Sequence, residues 1–187
     1  MTYHETSRQF IDVSGTQFNG RVLDIGSGGE GVILRLSGDK VVAIDISGEE
    51  LAETPDIGLK VVMDACQLRF LNNYFDNVTC FYSLMYMSDP QIKQFLDEAH
   101  RVMKTDARLW IWDAVIPAKT ADVFITQLEI KLPEQQTLSV GYGVSWTREQ
   151  SIETIRNLCI NAGFACERGS EYGESFSLCM RKNHESI

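Results

Sequence analysis

Five short runs, at residues 22–25, 41–44, 61–63, 78–81 and 109–112, are apolar almost residue by residue rather than in alternation. Strands covered on both faces read this way, so the runs predict a parallel sheet sandwiched between other layers. The segments between them carry helical spacing. Over 89–103, Asp89 suits an N-cap and Pro90 the first helical position, and Ile92, Phe95, Leu96, Ala99, Val102 and Met103 fall on one face. Over 147–162, Thr147 and Gln150 have the spacing of a capping box, and Ile152, Ile155, Leu158, Cys159 and Ala162 form the stripe. Gly163 is placed to end that helix. Residues 164–167 and 176–180 then read as strands joined by a turn near Gly173. The expected fold is α/β, an open, mostly parallel doubly wound sheet closing in a C-terminal antiparallel hairpin. No repeat or linker interrupts the sequence, so 1–187 is expected to be a single domain.

The formal net charge is −9, and no basic stripe able to displace counterions from a phosphate backbone is present. The longest basic cluster, Arg181-Lys182, is expected to be a solvated tail, and nucleic acid is not expected as a partner. No run approaches the roughly 18 apolar residues of a membrane span, and the N-terminus lacks the pattern of a secretory signal. No membrane partner and a cytoplasmic location are therefore expected. Five cysteines without C-x-x-C spacing predict buried, reduced thiols, and His4, His100 and His184 share no ligand spacing. No metal is expected.

The chemistry is concentrated at 22–31, VLDIGSGGEG, where a strand runs into a glycine turn opening a short helix at about 30–36. Such a turn lets backbone amides approach a ligand, and the helix start adds partial positive charge. Gly26, Gly28 and Gly31 also match the dinucleotide fingerprint, with Asp45 ending the second strand in either reading. Asp24 separates the two readings. A carboxylate two residues before the first glycine suits a cationic amino group and repels a pyrophosphate.

From Asp24 and Gly26 onward, over roughly 20–113, the sequence resembles the class I S-adenosylmethionine methyltransferases, particularly the quinone-biosynthesis-like small-molecule group. VVAIDIS resembles that family's second strand, DACQLRFLNNYFD at 64–76 its third motif, FDNVTCFYSLMYMSD at 75–89 its fourth, and EAHRVMKTDARLWIWD at 98–113 its fifth. The resemblance implies S-adenosyl-L-methionine as cofactor and methyl transfer to a small molecule. It implies cofactor contacts from Asp24, Gly26, Ser27, Gly28 and Gly29, from Asp45 and Ile46, and from Asp64, Ala65, Cys66 and Phe81. Asp45 would accept from the ribose hydroxyls and Asp64 from the adenine amino group, with Ala65–Cys66 flanking the ring. Tyr82, Met85 and Tyr86 are candidates for the methyl-transfer channel.

The pattern departs from the family at four places: Glu30 where a third glycine is usual, a short stretch at 48–58, Arg69 where proline is common, and Thr105-Asp106-Ala107 in place of a proline-glycine-glycine turn. A homologue that keeps the fold but acts through a partner is one alternative. A nicotinamide-dependent oxidoreductase is another, although no Tyr-x-x-x-Lys pair follows Tyr82 or Tyr86. Residues 114–145 hold two β-prone runs about Pro133, expected to form a hairpin that either covers the site or pairs two chains in a homodimer. Tyr142, between Gly141 and Gly143, marks a candidate lid. Trp110, Trp112 and Trp146 could stack on an aromatic substrate, with core packing favoured for the two in the strand.

Overall fold

The computed structural model describes residues 1–183, so His184 lies outside the described residues. Among the described residues are ten strands and four α-helices: β1 (Tyr3–Asp12), β2 (Val22–Ile25), α1 (Val32–Ser37), β3 (Val41–Asp45), α2 (Gly48–Glu53), β4 (Leu59–Val62), β5 (Phe75–Phe81), α3 (Asp89–Val102), β6 (Met103–Ala114), β7 (Val123–Lys131), β8 (Thr137–Ser145), α4 (Ile152–Asn161), β9 (Phe164–Tyr172) and β10 (Ser175–Lys182). The main sheet has the order β4-β3-β2-β5-β6-β10-β9. The first five strands of that order are parallel, and β10 is antiparallel to both β6 and β9. This is the expected open α/β sheet with its terminal hairpin, turned at Gly173 with φ +61°.

Alternation along β2 assigns its residues to two cores. Leu23 and Ile25 face a core built with α3 and α4, where Phe95, Leu96, Ile155 and Cys159 pack on Val78, Ile111 and Met180. Val22 faces a second core with α1 and a separate three-stranded sheet, of order β1-β7-β8. That sheet contributes Ile11, Phe124, Leu128 and Ile130. The predicted hairpin is therefore β7–β8, and it acquires an unexpected parallel partner in β1. Trp146, almost wholly buried, packs edge-on against Phe124 in the same core.

The 147–162 helix begins later than its sequence pattern suggests. Its capping box is formed by Ser151 and Thr154, not Thr147 and Gln150. Gln150 is buried and donates instead to Asp113 and to the Ala114 carbonyl, both at 2.8 Å, so a tertiary hydrogen bond outcompetes the local cap. Nor is Arg181-Lys182 a solvated tail. Lys182 is buried in β10 with Nζ 2.8 Å from the Met103 carbonyl, and Arg181 pairs with Asp106 and Glu167. All five cysteines are free, and four are buried, whereas Cys166 on the edge strand β9 is exposed. Residues 105–107, expected as a turn before the strand, instead lie within β6, where the pairing register with β5 shifts and Asp106 adopts φ +61°. No helix among the described residues is long and apolar enough to cross a membrane.

Candidate functional site

The strand order reverses at β2, whose neighbours β3 and β5 connect in opposite directions. In open α/β sheets this switch point leaves a crevice at the carboxyl ends of the strands. A cleft of about 510 Å³ lies there, and its wall includes residues from the ends of β2, β3 and β5 together with Tyr142 of β8.

The glycine turn forms one side. Gly26 has φ +63°, and a Cβ at that position would collide with the Ser83 hydroxyl, so both the backbone angle and the space demand glycine. Ser83 Oγ in turn lies 2.9 and 3.0 Å from the carbonyls of Gly26 and Ile25, tying the end of β5 to the turn. The amides of the loop already meet carboxylates. Gly28 N donates to Asp45 Oδ2 at 3.1 Å and Gly29 N to Glu50 Oε2 at 3.0 Å.

Asp24 is 2% exposed, and its Oδ1 accepts from Thr79 Oγ1 at 2.7 Å. Burial pushes its carboxyl up to about 7; hydrogen bonds from Thr79 and Ser27 oppose the rise and the nearby charge of Asp45 adds to it. Ser27 lies close enough to favour the Asp24 carboxylate, yet its buried Oγ has no partner of hydrogen-bond geometry among the described residues. A hydroxyl so placed on the cleft wall can bond a ligand's polar group. Asp64 closes a local turn, accepting from Cys66 N at 2.8 Å, so it is held at the cleft's edge.

The opposite wall is aromatic. Tyr82 has φ +50°, a conformation costly for a bulky residue and held here by its N–H bond to the Trp112 carbonyl at 2.7 Å. Its hydroxyl donates to buried Ser175 at 2.6 Å, and its ring stacks on Tyr142 with centroids 5.7 Å apart. Burial raises the pKa of Tyr82, Tyr86 and Tyr142 above the ordinary phenol value, to about 12 for Tyr86. None of the three is poised as a base near neutral pH.

Beneath the turn at 84–87, sequence reasoning missed a buried polar network. Asp113, fully buried at the end of β6, accepts from Leu84 N, Ala114 N and Gln150 Nε2 at 2.8–2.9 Å. Burial pushes it up to about 6, against those bonds and the nearby Arg148 charge. Arg148 donates to the carbonyls of Leu84 and Met87 at 2.7 and 2.9 Å and to Gln150. The segment after the hairpin is thus fastened to the turn that carries Tyr86. The contacts that join the three segments span 29 to 64 positions in sequence and carry no local signal.

The structure brings Asp24, Gly26, Ser27, Gly28, Asp45, Ile46, Asp64, Ala65, Cys66, Phe81, Tyr82 and Tyr86 to one cleft. Gly29 and Met85 are not on its wall. Gly29 turns its amide to Glu50, and Met85 is buried in the second core. Trp146, and the pair Trp110 and Trp112, which stack on each other with centroids 6.1 Å apart, are likewise outside it. Glu30, Glu50, Ser83 and Gln91 were not anticipated as lining residues. Glu30 in the glycine turn and Glu50 on α2 give no such signal until the chain is folded.

Residues 23–111 match a family described as a methyltransferase domain. No curated protein matches the sequence. Among solved structures, the chain is similar to an S-adenosylmethionine-dependent methyltransferase from Mesorhizobium loti, with 17% identity over 87% of this chain and 90% of that one and a TM-score of 0.63. A comparable protein from Methanosarcina mazei gives 18% identity over 91% and 95%, with a TM-score of 0.65. A [4+2]-cyclase shares the fold too, at 16% identity over 91% of this chain and 78% of that one, with a TM-score of 0.65. Over residues 23–111 the chain is similar to a methyltransferase domain, and its architecture is the class I methyltransferase fold.

Proposed function

We propose that this protein transfers a methyl group from S-adenosyl-L-methionine to a small-molecule acceptor, within a single domain whose β7–β8 hairpin forms part of the cleft wall. The observation that carries the reading is the charge of the cleft. Asp24, Glu30, Asp45, Glu50 and Asp64 line it, and no Lys, Arg or His does. A net cationic ligand is favoured in such a field. A pyrophosphate is not, because it would have to displace Asp45 and Glu50 from the Gly28 and Gly29 amides while facing their charge. The same disposition weighs against a nicotinamide dinucleotide.

The residues present fit the cofactor's polar groups. Asp45, half-buried at the end of β3, can accept from two adjacent hydroxyls, and Asp64 from the adenine amino group. Asp24 and the unpartnered Ser27 hydroxyl form a polar floor for the amino acid end. The cofactor supplies a methyl group already activated by its sulfonium leaving group. The chain's part is to hold the acceptor in line with that methyl group in a dry pocket, and orientation alone supplies about 7–11 kcal/mol in the best cases. Phe81, Tyr82 and Tyr86 provide an apolar wall for this. Thermal unfolding with S-adenosylmethionine, S-adenosylhomocysteine or NADH added separately tests the reading. At 100 times the dissociation constant a ligand stabilises by about 2.7 kcal/mol, or roughly 5–10 °C at this size. A shift with NADH alone refutes it. Binding of the adenosyl ligands without methyl transfer to any acceptor points to a homologue that has lost turnover, a reading given some weight by the cyclase that shares this fold.

A further inference from the structure

Glu30 departs from the glycine-loop pattern, and nothing in the cofactor's chemistry calls for a carboxylate there. It precedes Gly31, the N-cap of α1, and is half-buried on the cleft wall. Its Oε2 accepts from the Tyr142 hydroxyl at 3.2 Å, bridging the glycine turn to β8. No ion pair to Glu30 occurs among the described residues. The three tyrosines Tyr82, Tyr86 and Tyr142 share its wall.

The charge count leaves an excess. Five acidic side chains line the cleft, Asp24 among them raised by burial to about 7, and a bound methyl donor brings one net positive charge. With Asp24, Asp45 and Asp64 assigned to the donor, Glu30 and Glu50 remain. Glu50 is occupied by the Gly29 amide, whereas the Glu30 carboxylate meets only the Tyr142 hydroxyl. A carboxylate flanked by tyrosine rings is the chemistry that receives an ammonium group, through charge on one side and aromatic faces on the other. The cavity of about 510 Å³ that Glu30 and these tyrosines line also holds the buried Ser27 hydroxyl, assigned above to the donor.

We propose that the methyl acceptor is an amine, held as its ammonium form by Glu30 beside Tyr82, Tyr86 and Tyr142, and methylated on nitrogen. The proposal rests on the S-adenosylmethionine reading above. Before attack the ammonium loses one proton, which passes by way of the Glu30 carboxylate to water. The nitrogen lone pair then forms the N–C bond as the C–S bond breaks, and the departing electron pair stays on sulfur. The products are a methylated ammonium and S-adenosylhomocysteine. An acceptor carrying phosphate or carboxylate at the reacting end is repelled, and a neutral phenol or alcohol gains nothing from Glu30.

The test is calorimetric binding to the full chain saturated with S-adenosylhomocysteine. The probes are matched amine, alcohol and carboxylate on two frames, phenethyl and butyl. On at least one frame the amine is expected to bind tenfold or more tightly than the alcohol, with no detectable carboxylate binding. Glu30→Gln should remove that advantage while leaving the S-adenosylhomocysteine affinity within twofold, and Glu30→Asp should keep part of it. Both variants are checked for an unchanged melting temperature. Equal binding of amine and alcohol on both frames, no amine binding at all, or an amine preference that survives Glu30→Gln overturns the proposal. S-adenosylhomocysteine binding is measured first and alone. Its failure with amine binding intact refutes the cofactor reading instead, so the two failures are distinguishable.

Discussion

Replacing Asp24 by Asn should make the protein more stable and worse at its task. Asp24 is 2% exposed, and burial lifts its carboxyl from 3.8 to about 7. Between those values the folded chain holds a proton that the unfolded chain has released. The contribution of Asp24 to stability is therefore fully present below about pH 4 and is lost as pH rises through 7. At about 1.4 kcal/mol per pH unit, that rise sets a ceiling of about 4 kcal/mol at pH 8 and under about 2 kcal/mol at pH 5. Asn keeps an oxygen for the 2.7 Å Thr79 bond and carries no charge to desolvate. For a chain of this size each kcal/mol moves the melting temperature by about 2–4 °C. Asp24→Asn is accordingly expected to melt several degrees above wild type at pH 8, with the gain shrinking towards pH 5. The amino group of the cofactor loses its counter-charge at the same time, and S-adenosylhomocysteine affinity should fall by about tenfold or more. Differential scanning calorimetry across pH 5–8, with and without that ligand, reads both effects. A variant destabilised equally at every pH would falsify the reasoning, because the Asp24 charge would then be no burden to the free protein.

Gly26→Ala combines φ +63° with a Cβ colliding with Ser83, so a loss of about 1–3 kcal/mol is expected, together with loss of the adenosyl-ligand thermal shift. Arg148→Met leaves the Leu84 and Met87 carbonyls and the Asp113–Gln150 pair without their cation, at a cost of about 3–5 kcal/mol. Urea unfolding measures it, and a change under 1 kcal/mol would show that the network does not hold the turn. Tyr82→Phe strands the buried Ser175 hydroxyl and should lower stability by about 1–2 kcal/mol, independently of pH between 5 and 9 because the phenol stays protonated throughout. Excising residues 124–144 is expected to unfold the chain outright, since Phe124, Leu128 and Ile130 belong to the second core and β7 is the partner of β1. Circular dichroism of the excised protein checks this.

The amino-acid sequence by itself determined the main sheet and the position of the cleft. Buried parallel strands must be apolar throughout, and a tight strand-to-helix turn must be glycine at Gly26, so both leave local marks that survive without neighbours. The sequence also marked the stripe of α3, although its N-cap is Ser88, boxed with Gln91, and not the expected Asp89, which is the first helical residue. The tertiary structure alone decided what depends on distant partners. Tyr3–Asp12 reads as polar because Thr6 and Gln9 occupy inward positions and a register shift follows Glu5; only pairing with β7, some 120 residues away, makes it a strand. Gln150 has the spacing of a cap, yet Asp113 claims it. Arg181-Lys182 resembles a tail until Met103 and Asp106 come within reach. The acidity of Asp24 and the meeting of Glu30 with Tyr142 belong to the same class. Burial and long-range hydrogen bonds are properties of the folded neighbourhood, which periodicity and spacing along the chain cannot encode.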